Sequence, residues 1–181
     1  MTLHEIVTGR LCLRPLTPAD TGALHRLLIQ PGMRRYLLDD EVIPRARAQF
    51  FIDTSVASFA ANGHGLWGAT LKGNDALVGF CGFWLFHEPP RLELLYGLGD
   101  EHHGKGFATE MAAAMIRHGF EALRLDRIEA STDAPNTASI AVMERAGMAF
   151  WKRDLSGGRD TIFYAADRRS RESRGSGRFA G

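Results

Sequence analysis

Cysteine is nearly absent from this sequence. Cys12 and Cys81 are its two thiols, each inside an apolar run and neither part of a C-x-x-C pair. That excludes a disulfide framework and a zinc knuckle; both read as reduced core thiols, behaving as small hydrophobes, and no metal is expected. Long hydrophobic runs are missing as well. No stretch reaches transmembrane length, and the opening MTLHEIVTGR has no apolar leader, so a cytoplasmic protein with no membrane partner is expected. Charge of one sign is also missing, with 22 Lys and Arg against 21 Asp and Glu. Nothing in that balance attracts nucleic acid or acidic lipid in general, and no nucleic-acid partner is expected. The exception is local: residues 167–181 hold five Arg and two acids and almost no apolar side chains. They read as a disordered basic tail, a plain solvated terminus with contact to RNA phosphates as the alternative. There is no internal repeat.

What is present fills one domain, residues 1–166 of the 181, enough chain for a substantial core. GRLCLRPLT alternates and predicts a strand over 9–16, with Thr17 or Asp20 capping a helix that starts near Pro18. QPG ends that helix near 30–32. MRRYLLDDEV has no clean period and reads as a loop, and a second helix runs from about Pro44 to Ala61. Three strands follow over 65–72, 75–86 and 91–98, joined by short turns that favour antiparallel neighbours. The middle one is apolar at both parities, as a central strand covered on both faces should be. Phe107, Met111 and Met115 set the face of a helix running to about Leu123. A strand over 127–132 and a helix from Asn136 to Gly147 come next, Asn and Gly being favoured at the two ends of a helix. Residues 148–155 and 160–167 close the chain as a hairpin. The fold class is therefore α/β (α+β), a mixed and mostly antiparallel sheet, with local parallel pairing possible across the strand–helix–strand passage at 91–132.

GLGDEHHGKGFATEM, residues 97–111, looks like a phosphate cradle at a strand-to-helix junction. From Gly99 it has the spacing G-x-x-x-x-G-K, but Gly106 stands where a P-loop needs a magnesium-binding hydroxyl, so a nucleotide hydrolase is disfavoured. A dinucleotide fingerprint needs a third Gly early in the chain, and here the pattern is late and ends in Thr109. An anion site in general survives: a helix start carries unpaired N–H groups and partial positive charge, and glycines allow close approach. The bland alternative is a glycine turn that only connects two elements.

LELLYGLGDEHHGKGFATEMAAAMIRHGFEAL resembles the acetyl-CoA-binding segment of the GNAT superfamily of N-acetyltransferases. APNTASIAVMERAGMAF resembles the segment that follows it, and TGRLCLRPLTPAD resembles the first strand and helix start of the Rim-type branch, which includes ribosomal-protein N-terminal acetyltransferases. The resemblance spans about residues 8–166. It implies a central sheet of about six to seven strands flanked by about four helices, acetyl-CoA as co-substrate, and a primary amine as acceptor, either a peptide N-terminus or a small molecule. It leaves room for a homodimer.

Carried over residue by residue, it implies that the strand ending at Tyr96 and Leu98 offers backbone groups to the pantetheine arm. The amides of His103, Gly104, Lys105, Gly106, Phe107 and Ala108 would wrap the pyrophosphate. His103 departs from the Gln or Arg usual in the wider superfamily. Asn136 and Ser139 match N-x-x-S; Asn136 would bond the pantetheine amides and Ser139 would face the sulfur and donate to it. The N–H of Leu98 would polarise the carbonyl.

Glu93 is the candidate general base. Leu92, Leu94, Tyr96 and Leu98 have the opposite strand parity, so Glu93 points to the other face with Leu95, and apolar flanks suit a carboxylate that must take a proton. The alternative is a strand Glu facing solvent or paired with Arg91. His64 and His87 lie in loops that can rim an acceptor pocket, and Trp84 can line it. Tyr164 reads as a core tyrosine. A catalytically inactive acyl-CoA-binding sensor or scaffold of the same fold is the alternative function.

Overall fold

The structure, a computed structural model, describes residues 5–155 and 158–168. Two short strands, β1 (Ile6–Val7) and β2 (Leu11–Pro15), open the described chain. A 3-10 turn over Pro18–Asp20 leads into α1 (Thr21–Leu28). Asp20 fixes this junction: its carboxylate accepts from the backbone and hydroxyl of Thr17 and from both terminal nitrogens of Arg14. Two more helices follow, α2 (Pro31–Leu37) and α3 (Arg45–Asn62), and Gly63 in the left-handed region stops the second of them. Then come β3 (Leu66–Leu71), β4 (Leu77–Phe86) and β5 (Arg91–Leu98). Helix α4 (Phe107–Glu121), β6 (Arg127–Asp133), α5 (Thr137–Arg145), β7 (Ala149–Asp154) and β8 (Thr161–Asp167) complete the order.

The strands form one sheet in the order β1-β2-β3-β4-β5-β6-β8-β7. Every pairing is antiparallel except β5 with β6, which run parallel and are in register only at Glu93 and Glu129. Strand parity sorts the side chains into two cores. Trp67, Cys81, Phe83, Leu94 and Leu98 pack against Met111, Met115, Ile116 and Met143 of α4 and α5. Leu66 and Phe80, on the other face, pack against Leu24, Leu28 and Ile52 of α1 and α3. β4 is thus buried on both sides, as its unbroken apolar run requires. Both cysteines are free, and burial pushes the Cys81 thiol up. Among the described residues, no helix is long and apolar enough to cross a membrane.

Three expectations need correction. The segment taken for a loop after residue 32 is helical: Pro31 supplies the first helical position of α2, and Met33 docks where a side chain on Gly97 would collide with it. Tertiary packing, not periodicity, makes this helix. With β1 it brings the totals to eight strands and five helices among the described residues, where six to seven and four were expected. The boundary of the basic tail also moves. Asp167 ends β8, opposite Arg127, and the Arg168 guanidinium donates to the carbonyl of Leu125. The rest of the tail lies outside the described residues.

Candidate active site

β5 and β6 meet at Glu93 and Glu129 and then part. A parallel pair that splays leaves unpaired backbone along both inner edges, and a cleft opens between residues 94–98 and 130–133. A groove of about 870 Å³ occupies this region, bordered by Glu93, Tyr96, Leu98, Asn136 and Ser139 and by the glycine turn before α4. Helix α2 roofs it. Tyr36 donates to the carbonyl of Pro135 at 3.4 Å, and Arg159 pairs with Asp39.

The glycine turn is shaped by two left-handed residues, Gly104 (φ 73°) and Gly106 (φ 79°), the second at the cap position of α4. The first N–H groups of an α-helix have no partner within it, so Phe107 and Ala108 present donors at the positive end of the helix. Sequence reasoning missed Arg10, which holds this turn from the first hairpin. Its guanidinium donates to the Lys105 carbonyl at 2.8 Å, bonds Glu110 at 2.7 Å and lies 4.5 Å over the Phe107 ring. Burial would push the Glu110 carboxyl up, but hydrogen bonds from Thr8 and Arg10 outweigh it and hold Glu110 below the usual range. The side chains of Lys105 and Phe107 do not border the groove: the ammonium donates to the Glu101 carbonyl, and the phenyl ring is buried under the turn. His103 stands beside it, its Nε2 2.9 Å from the Leu98 carbonyl.

Glu93 is 1 % exposed and neither faces solvent nor pairs with Arg91. Its Oε2 accepts from Ser131 Oγ at 2.6 Å. Its Oε1 lies 2.9 Å from His87 Nε2, but the groups are not aligned for a hydrogen bond, and that buried oxygen accepts none among the described residues. His87 itself is held in the left-handed region (φ 67°), an uncommon conformation for a residue with a side chain, and its ring packs against Phe163 at 5.4 Å. The turn after β4 thus folds His87 back over the carboxylate. Its side chain is 36 % exposed and borders the groove, so it stands between a buried acid and the open cleft.

On the opposite face, Tyr96 and Ser139 form a pair. Their hydroxyl oxygens are 2.7 Å apart, and the phenol also reaches the Ser139 carbonyl at 3.0 Å. Burial pushes the Tyr96 phenol up to about 12, with the Ser139 hydrogen bond a smaller opposing effect. Tyr96 was named only for its backbone; its side chain is a proton donor that stays protonated at neutral pH. Asn136 caps α5: Oδ1 accepts from the Ser139 N–H at 3.2 Å, and Nδ2 donates to Thr132 Oγ1 at 3.0 Å. Tyr164 is buried and donates to Glu144 at 2.8 Å, away from the groove. His64 bonds Ser58 and does not border the groove either. No cluster of metal-ligating side chains occurs among the described residues.

Known proteins resemble this chain in sequence and fold. The family described as acetyltransferase (GNAT) domain matches residues 10–149. An uncharacterized N-acetyltransferase of Bacillus licheniformis, p20, is 32% identical over 84% of this chain and 85% of its own. A crystal structure of an acetyltransferase from Agrobacterium tumefaciens superposes with a TM-score of 0.76 at 26% identity, over 93% of this chain and 96% of its own. RimL, a ribosomal-protein alpha-N-acetyltransferase solved with coenzyme A, shares the fold with a TM-score of 0.78 at 16% identity, over 91% of this chain and 98% of its own.

Proposed function

Because this chain belongs to the GNAT acetyltransferase family, we propose that it moves an acetyl group from acetyl-CoA directly to a primary amine, on a peptide N-terminus or a small molecule. The observation that carries this reading is a buried carboxylate at the edge of the groove, Glu93, whose Oε1 accepts no aligned hydrogen bond among the described residues and meets only the partly exposed His87 at 2.9 Å. A buried acceptor without an aligned hydrogen bond is costly and rare, and one beside a cavity suits a group that waits for a proton.

Acetyl-CoA supplies the activated acetyl thioester; the residues of this chain supply grip, orientation and proton handling. The amides of Gly104 to Ala108 suit a diphosphate, since the two glycines hold the turn open and α4 adds its positive end. Asn136 uses one lone pair on the Ser139 N–H of α5 and one donor on Thr132 of β6, and keeps one of each for the amides of a pantetheine arm. The amine must arrive neutral, and Glu93 takes its proton. His87, touching the free oxygen and partly exposed, passes that proton to water. The Leu98 N–H polarises the carbonyl, as a preorganised donor should. Tyr96, bonded to Ser139, is the donor for the departing thiolate. Holding both reactants in one cleft supplies much of the remaining rate.

Thiol release from acetyl-CoA in the presence of an amine panel tests the proposal. Turnover that falls strongly in Glu93→Gln supports it. Tight acetyl-CoA binding with no turnover on any amine overturns it in favour of a binding scaffold.

A further inference from the structure

A second cavity, about 230 Å³, lies between α1, α2, α3 and the face of the sheet that carries Glu93. Its walls are apolar apart from Arg47. Phe51 and Trp84 meet edge-to-face at 6.0 Å on one side, and leucines of α1 and α2 close the other. Leu37, Phe86 and Leu95 border both this recess and the main groove. Trp84 is the cross-strand partner of Glu93, and Leu95 is two residues along the same strand face, about 7 Å away at the usual strand rise.

We propose that this recess receives a ring-sized apolar group of the acceptor while its amine sits at Glu93; the inference rests on the acetyltransferase reading above. The preferred acceptor is then an amine with an aromatic or branched aliphatic group a short chain from nitrogen, such as an arylalkylamine or a peptide with a bulky apolar first residue. Three observations lead there. The volume suits such a group, since an apolar cavity of about 150 Å³ already holds benzene. The recess lies on the Glu93 face, whereas Tyr96, Ser139 and α5 lie on the opposite one, so it opens toward the side from which the amine comes. The charged side chain on its wall, Arg47, is exposed and lies 5.1 Å over both the Phe50 and Phe51 rings. A cation there repels an ammonium and admits only the apolar end, which turns the nitrogen toward Glu93.

The test compares 2-phenylethylamine with ethylamine, and Phe-Gly with Gly-Gly, as acceptors, and acetyl-CoA with hexanoyl-CoA as donors. Burying a ring should favour the aromatic acceptor about tenfold to a hundredfold in kcat/KM, and Leu37→Trp, which fills the recess, should bring that ratio close to one. Equal use of both acceptors, with turnover intact, overturns the recess proposal and leaves the acetyltransferase reading standing. Hexanoyl transfer as fast as acetyl transfer, lost in Leu37→Trp, also overturns it, because the recess would then hold the acyl chain. Absence of turnover on every amine sinks the acetyltransferase reading instead. The recess then stands or falls on the wild-type protein alone: 2-phenylethanol should change tryptophan fluorescence saturably, ethanol should not, and no response to 2-phenylethanol ends the proposal.

Discussion

Ser131 donates to Glu93 at 2.6 Å where their two strands part. The bond crosses the mouth of the cleft and fixes one carboxylate oxygen, leaving the other for chemistry. Glu93→Gln keeps the shape and removes the proposed base. Turnover should fall by about 10² to 10⁴ fold, the usual worth of a general base, while acetyl-CoA affinity by calorimetry stays within a few fold.

Tyr96 and Ser139 share one hydroxyl contact, so they should act as a unit. Tyr96→Phe should lower kcat on the order of a hundredfold. Adding Ser139→Ala should then cost little more, because neighbours in one network are not additive. Full additivity in the double-mutant cycle would separate the two roles.

Gly106 is left-handed, and a side chain there would meet Arg10 at 3.4 Å. Gly106→Val should cost about 1–2 kcal/mol of stability and weaken acetyl-CoA binding at least tenfold. Gly63→Ala is the comparison. It is equally left-handed, with nothing within 4 Å of the new carbon, so it should lower Tm and leave acetyl-CoA binding alone.

The Arg14 guanidinium beside Asp20, helped by Thr17 and opposed by burial, holds the Asp20 carboxyl below its ordinary value. A carboxyl lowered on folding contributes stability above the unfolded carboxyl pKa, about 3.9, and loses it as pH falls through the folded one. Asp20→Asn should therefore be about 1.5–3 kcal/mol less stable at pH 7. Denaturant titrations should show that gap closing below about pH 4, with no change between pH 6 and 8.

The helices α1, α4 and α5 and the strands β2 to β6 and β8 follow from apolar period, caps and turns; α3 was placed from about Pro44 to Ala61 without a single apolar face, and the parallel contact at 91–132 was seen as possible. β7 was legible too, as half of a hairpin. Helix α2 was not, because what holds it is Met33 against Gly97, a contact between distant positions. The Glu93 face followed from parity, since a strand has a fixed period. His87 was read as a pocket-rim residue and borders the groove, but its place over Glu93 was not legible, nor were Ser131 and Arg10, whose partners lie 38 and 100 residues away. One signal was available for Tyr96: it has the parity of the apolar side chains on β5, so its phenol had to find a polar partner on that face.

β8 lies between β6 and β7. During synthesis, the strand bearing Ser131 therefore has no lateral neighbour on its outer side until residues 161–167 emerge from the ribosome. The cleft wall cannot set before then, and a chain interrupted short of β8 would expose a bare strand margin, open to pairing with other chains. The cleft is thus completed late in translation, after both the glycine turn and Glu93 have been made.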